Sequence, residues 1–269
     1  MKIGFFDSGI GGLSVLHEAL KILPNEQYVY FSDGKNIPYG TKTREQVRDL
    51  LFAAFDFLAE HGLKAAVVAC NTATSVAIED LRLRHDFPII GMEPAVKPAV
   101  EAAKKTSPNH QTAKSPADRV LVFATELTLR LEKFHNLVAR VDTDRRVDYL
   151  PLQELVVRAE RFEFDDAVIL PYLHEKLGGV DWSQYGAVVL GCTHFPFFGR
   201  QFRQIVPPHV QIVDGNRGTV NNLVQKLGSN LSVGPGSVAY FLSGERREAG
   251  EFERYFGLLD GEKLHSFTQ

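Results

Sequence analysis

Cysteine is scarce. The 269-residue chain has two, Cys70 and Cys192, which excludes a disulfide-stapled secreted scaffold, and their separation gives no Cys-x-x-Cys spacing for metal or redox work. Positive charge is not in excess either: a formal charge of -3 and a sequence pI near 6.3 supply no basic field to neutralise phosphates, so small molecules rather than nucleic acids are the expected partners. No apolar run approaches the length of a membrane-spanning helix, and the N-terminus reaches Asp7 after only a few apolar residues, unlike a targeting segment. A cytoplasmic protein with reduced thiols and no membrane contact is expected. Among nine histidines there is no His-x-His, no HExxH and no clustering with carboxylates at ligand spacing, so no metal site is expected. With 44% hydrophobic and 23% charged residues, the chain reads as ordinary globular protein, large enough for one big α/β unit or two domains.

Short apolar runs alternate with stretches of helical period, the pattern of βα units around a mostly parallel sheet. Strands are predicted at Ile3 to Phe6, Tyr28 to Phe31, Ala65 to Ala69, Pro88 to Ile90, Arg119 to Phe123, Val147 to Leu150, Ala187 to Leu190, Val210 to Val213 and Val238 to Leu242. Helices are predicted over Leu13 to Leu23, Arg44 to Glu60, Glu126 to Leu137, Phe164 to Leu177 and Asn221 to Leu227. The polar, twice proline-broken stretch from Lys104 to Arg119 reads as a surface connection near a domain boundary. Beyond it the chain weakly repeats itself. Arg119 to Thr128 (RVLVFATELT) is like Lys2 to Gly11, and Tyr185 to Thr193 (YGAVVLGCT) is like Lys64 to Thr72 (KAAVVACNT). Two similar lobes are expected.

Each cysteine ends an apolar run and is followed by hydroxyl or amide side chains, Cys70-Asn71-Thr72 and Cys192-Thr193-His194. Both belong at carboxyl ends of strands, where parallel sheets bind ligands and where a helix N-terminus lowers a thiol's pKa. A single buried cysteine is more often a small hydrophobe, but two in matched settings point to a pair facing one cleft. His194, two positions from Cys192, is near enough to accept or relay a proton. In Phe5 to Gly12 (FFDSGIGG), Asp7 and Ser8 follow the first strand and precede a glycine-rich turn, whose glycines allow close backbone approach to a ligand. A helix N-cap by Asp7 or Ser8 and an active-site role both fit that position. The spacing matches neither Gly-x-Gly-x-x-Gly nor the Walker pattern. Asp33 to Thr41 (DGKNIPYGT) is a turn by composition.

These segments together resemble the cofactor-independent aspartate/glutamate racemase family over nearly the whole chain. The pieces that carry the resemblance are FDSGIGG at Phe6 to Gly12, PYG at Pro38 to Gly40, ACNTA at Ala69 to Ala73, GMEPAVKPA at Gly91 to Ala99, ATELT at Ala124 to Thr128 and GCTHFP at Gly191 to Pro196. Two places depart from the family pattern: its Asp-Thr pair before PYG is here Asp33-Gly34, and its Cys-Pro segment of the second lobe is here Leu150-Pro151-Leu152.

The resemblance implies an isomerase that interconverts L- and D-glutamate by two-base proton transfer, supplying D-glutamate for peptidoglycan, with no cofactor and no metal. It assigns Cys70 to take the proton from D-glutamate and Cys192 from L-glutamate, with Asp7 assisting Cys70 and His194 assisting Cys192. Ser8, Asp33, Pro38, Tyr39, Gly40, Asn71, Thr72, Thr128 and Thr193 match substrate-holding positions. If each sulfur stands about 3.5 Å from Cα on opposite faces, the sulfurs lie roughly 7 Å apart, too far for a disulfide. The implied fold is a first lobe from residues 1–97 with 208–269, a second from residues 98–207, and an active site between them, usually in a homodimer. Two other functions stay open: a racemase of aspartate or another small carboxylate, and a non-catalytic small-anion binding protein.

Overall fold

The computed structural model describes residues 1–106 and 118–260, so the expected connection from Lys104 to Arg119 lies largely outside the described residues. The first part of the chain runs β1 (Lys2–Asp7), α1 (Leu13–Ile22), β2 (Gln27–Ser32), α2 (Arg44–Ala59), β3 (Leu63–Val68), α3 (Asn71–Arg84), β4 (Ile89–Gly91) and α4 (Val96–Thr106). Then follow β5 (Arg119–Ala124), α5 (Glu126–Arg130), α6 (Glu132–Val141), β6 (Val147–Pro151), α7 (Gln153–Glu160), α8 (Asp166–Leu177), β7 (Tyr185–Leu190), α9 (Gly199–Ile205) and β8 (Gln211–Asp214). The chain closes with α10 (Asn216–Leu227), β9 (Ser237–Leu242), β10 (Glu245–Arg247), α11 (Ala249–Glu253) and α12 (Phe256–Asp260).

Each predicted strand is present, and the weak internal repeat corresponds to a repeat of architecture. One sheet has the order β10-β9-β2-β1-β3-β4, and the other β6-β5-β7-β8. β2-β1-β3-β4 and β6-β5-β7-β8 are therefore the same arrangement, all parallel. Even an irregularity recurs: the β1/β3 register shifts between Lys2 and Ile3, and the β5/β7 register between Arg119 and Val120. Helices on both faces explain why the central strands are continuously apolar, with β3 buried along its length. In this order the chain reverses direction across the sheet between its first and third strands, and the loops there diverge to leave a crevice. Cys70 follows β3, and Cys192 follows β7. Both cysteines thus stand at such a crevice, one in each lobe.

Some boundaries differ from the expected ones. The return to the first lobe does not come near Pro207, because Gln211–Asp214 pairs with β7 in the second sheet; the crossing falls just after it, where α10 packs on α1. The helix predicted over Glu126 to Leu137 is interrupted by extended backbone at Leu131. The stretch near the end of the described residues forms two short helices, α11 and α12. α3 escaped prediction because its first turn is polar, but those side chains, Asn71, Thr72 and Thr74, are buried against the other lobe and the sheet. One apolar cluster is continuous across both lobes, from Phe5 and Leu13 to Phe123, Leu155 and Phe198, and anchors the crevices face to face.

Candidate active site

β1 delivers Asp7 to the sheet edge, where the carboxylate closes its own turn: Oδ1 accepts the Gly9 N–H at 2.9 Å. Asp7 and Ser8 do not cap α1, whose N-cap position is Gly12 without a side-chain bond. The other carboxylate oxygen of Asp7 crosses to the second lobe and accepts the Thr193 hydroxyl at 3.1 Å. Full burial raises the Asp7 pKa from 3.8 to about 6, against the lowering influence of His194 and the Gly9 N–H.

Cys70 takes the N-cap position of α3, and its sulfur accepts the Ala73 N–H at 3.4 Å. Its thiol lies 3.5 Å from the Ser8 hydroxyl. The helix terminus was expected to lower this thiol's pKa. Instead burial, reinforced by the charge of Asp7, pushes it up to about 12, outweighing the Ala73 N–H and Ser8. Cys192 faces a different neighbour. Its sulfur is 3.6 Å from His194 Nδ1, and His194 Nε2 is 2.7 Å from Glu160 Oε1. Burial disfavours the imidazolium, but the bonds to Cys192 and Glu160 prevail and hold the His194 pKa well above its ordinary value. The two ring nitrogens thus face a sulfur on one side and a carboxylate on the other. Both cysteines are free thiols.

The lobes are stitched together around these groups. Glu160 Oε1 also accepts the Ile10 N–H at 2.7 Å, and Ser14 Oγ donates to the Thr193 carbonyl at 2.9 Å. The hydroxyls of Thr72, Thr125 and Thr128 form a mutually bonded triad, 2.9 to 3.1 Å apart, that spans the junction. Two glycines make this approach possible. A Cβ at Gly9 would stand 2.0 Å from Glu160 Oε1, and one at Gly11 would stand 2.4 Å from Thr193 Oγ1 and 2.5 Å from His194 Nδ1. The close approach anticipated from FDSGIGG is thus made by the opposite lobe's own side chains.

Between the lobes lies a cavity of about 10 Å³, room for about one water. Ser8, Tyr39, Gly40, Cys70, Asn71 and Thr72 line it from the first lobe, with Cys192, Thr193 and His194 opposite. The remaining predicted residues stand behind the lining. Asp7 and Thr128 act through Thr193 and Thr72. Asp33 accepts the Tyr39 hydroxyl at 2.7 Å, together with Asn36 and Ser243, and so fixes the turn that carries Tyr39 and Gly40. Pro38 precedes that turn without lining the cavity. At the Asp33-Gly34 departure, a Cβ at Gly34 would lie 2.6 Å from the end of the Leu242 side chain of β9.

Sequence reasoning missed Glu160, Thr125, Gln153, Val156 and Gly191; the last four line the cavity. No spacing rule singles out Glu160, an acid at the end of a short helix, until His194 and Ile10 are brought to it. A larger cleft of about 990 Å³ is lined by neither cysteine; the paired thiols, not the volume, mark the reactive site. Among the described residues there is no group of His, Cys, Asp or Glu suited to a metal ion, and no helix long and apolar enough to cross a membrane.

Two like sheets whose switch-point crevices enclose one thiol-lined cavity define a two-lobed α/β protein built to act on a small ligand held between its lobes. The family described as Asp/Glu/Hydantoin racemase matches residues 12–223. The chain belongs to that family. It is 48% identical to a glutamate racemase of Halothermothrix orenii over 96% of this chain and 99% of that one, and 47% identical to glutamate racemase 2 of Bacillus subtilis over 97% of each. The crystal structure of Escherichia coli glutamate racemase, in complex with L-glutamate and the activator UDP-MurNAc-Ala, matches with a TM-score of 0.76 and 29% identity, covering 94% of this chain and 95% of that one. Glutamate racemase isoform RacE1 of Bacillus anthracis matches with a TM-score of 0.77 and 26% identity, covering 100% and 97%.

Proposed function

We propose that this chain is a glutamate racemase that inverts Cα with two thiols and no cofactor. One observation carries the reading: Cys70 and Cys192 line the same buried cavity from opposite lobes, each at the carboxyl end of an equivalent strand. Inversion needs a proton removed from one face and another delivered to the opposite face. One thiolate takes the α-proton while the other thiol donates, and the roles exchange in the reverse direction. Cys70 acts on D-glutamate and Cys192 on L-glutamate.

The two thiols have different proton partners. His194, its pKa raised by its bonds to Cys192 and Glu160, stabilises a Cys192 thiolate and receives support from Glu160. Asp7, poised near neutrality, assists Cys70, whose proton is otherwise held tightly. The α-proton is far less acidic than a thiol, each pKa unit of mismatch costs about 1.36 kcal/mol, and dipoles fixed in a water-poor cavity must offset much of that. Asn71, Thr72 and Thr193, adjacent in sequence to the sulfurs, hold the groups attached to Cα, with Thr128 steadying Thr72. Ser8, Tyr39 and Gly40 bind further along the substrate, with Asp33 and Pro38 shaping their turn. A cavity of about 10 Å³ has no room for glutamate, so the lobes separate to admit it and close again for chemistry.

The same reading carries a cytoplasmic location, a homodimer, two lobes as the units that move, and a product used for peptidoglycan. The decisive experiment follows optical rotation and α-proton exchange in deuterated water, with glutamate, aspartate and alanine and no added cofactor. Glutamate is expected to racemise alone, and Cys70→Ala and Cys192→Ala each to lose more than about a thousandfold in rate with an unchanged fold. Aspartate inversion would redirect the substrate assignment, absence of any exchange would favour a small-anion binding protein, and full activity of either alanine variant would refute the two-base scheme.

A further inference from the structure

Gln153 opens α7 directly after the Leu150-Pro151-Leu152 segment that departs from the family pattern. Both amide atoms, Nε2 and Oε1, are sealed from solvent and have no hydrogen-bond partner. Such an orphaned carboxamide costs free energy for each unmade bond, and it persists at functional sites where a ligand completes it. Its neighbours point to one. The side chain lines the cavity that contains both thiols, and its Oε1 lies so close to Gly40 that a Cβ there would stand 2.3 Å away. Gln153 therefore reaches across the lobe junction to the backbone of the Tyr39-Gly40 turn.

We infer that Gln153 is a substrate-binding residue that donates an amide N–H to the side-chain carboxylate of the ligand and so helps select glutamate by its length. This rests on the racemase reading. Asn71, Thr72 and Thr193 sit one or two residues from the sulfurs and are placed for the ammonium and carboxylate on Cα. Gly40 and Gln153 belong to separate elements, away from the strand ends that carry the thiols. They meet the far end of a ligand whose Cα lies between the sulfurs. A carboxamide suits that task because it donates to a carboxylate without adding a counter-charge, and its Oε1 remains free to accept from an ordered water.

The test measures glutamate racemisation by wild type, Gln153→Met and Gln153→Glu, together with their melting temperatures. Methionine keeps the length and removes the donor. It is expected to raise KM about 10- to 100-fold, the value of a hydrogen bond to a charged group, with kcat within about threefold and little change in melting. Glutamate at this position is close to isosteric and, at pH 8, sets a negative charge against the substrate carboxylate. It is expected to raise KM further, with partial recovery as pH falls toward 5, which a purely structural role does not produce. Wild-type KM in Gln153→Met, a fall in kcat at unchanged KM, or wild-type binding by Gln153→Glu would overturn the inference. If Gln153→Met does not fold, the Gln153→Glu profile decides alone. If the wild-type protein leaves glutamate untouched, the racemase reading has failed instead.

Discussion

Asp7 gives the sharpest quantitative handle on how the site is held. It is fully buried, and its pKa stands near 6 against 3.8 in an exposed carboxylate. The folded protein thus binds a proton that the unfolded chain has already lost between those two values, so stability falls as pH rises from about 4 to 6 and the loss is complete above that. At about 1.36 kcal/mol per pH unit, the ionised carboxylate costs the fold roughly 3 kcal/mol at neutral pH. Asp7→Asn removes this cost with little loss of contact. Its Oδ1 still accepts the Gly9 N–H, and its Nδ2 can donate to the Thr193 hydroxyl that now donates to Oδ2. For a chain of this size about 3 kcal/mol corresponds to roughly 6 to 12 °C in melting temperature. Melting curves of the two proteins from pH 4 to pH 8 are expected to start together at the acid end and to diverge up to about pH 6, with the variant the more stable. Racemisation is expected to fall at least about 100-fold in the same variant, since the base that assists Cys70 is gone. A gap in melting temperature that ignores pH, or a variant less stable than wild type at pH 7.5, would show that the carboxylate is not held under strain.

Two further outcomes test the junction itself. Gly11→Ala places a methyl group against Thr193 and His194 and is expected to lower kcat/KM at least about 100-fold by wedging the lobes apart; because the equilibrium constant between enantiomers is one, polarimetry started from either enantiomer must report the same factor, and normal activity would mean the lobes need not meet so closely. Glu160→Gln keeps an oxygen for the Ile10 N–H and removes the charge beside His194, so the His194 pKa is expected to fall, read from its ring proton shifts by NMR; an unmoved titration would reject Glu160 as a partner that raises it.

Much of the architecture was legible because its cause is local. Continuous apolar runs such as Ala65 to Ala69, short and bounded by turn residues, fit strands covered on both faces, and the likeness of YGAVVLGCT to KAAVVACNT foretold two equivalent strand ends. Other features were hidden for identifiable reasons. Val210 to Val213 reads as a strand, but nothing in it says which sheet it joins; pairing with β7 moved the lobe boundary past Asp214. The polar first turn of α3 breaks its apolar period because those residues face the other lobe. Glu160 and Gln153 carry no motif, and each matters only through a contact with a residue distant in sequence.

The residue types and their order along the chain settled the chemistry on offer: two thiols at matched strand ends, an imidazole two residues from one of them, and glycines where a side chain would obstruct. Those are properties of neighbours in sequence, governed by strand period and turn geometry. The ionisation of those groups belonged to the tertiary structure alone. A helix N-terminus by itself would have lowered the Cys70 pKa, and an exposed Asp7 would titrate near 3.8. Burial against a second lobe reversed the first and raised the second, because the free energy of a charge depends on how much water remains around it, and that is fixed only when distant parts of the chain close over it.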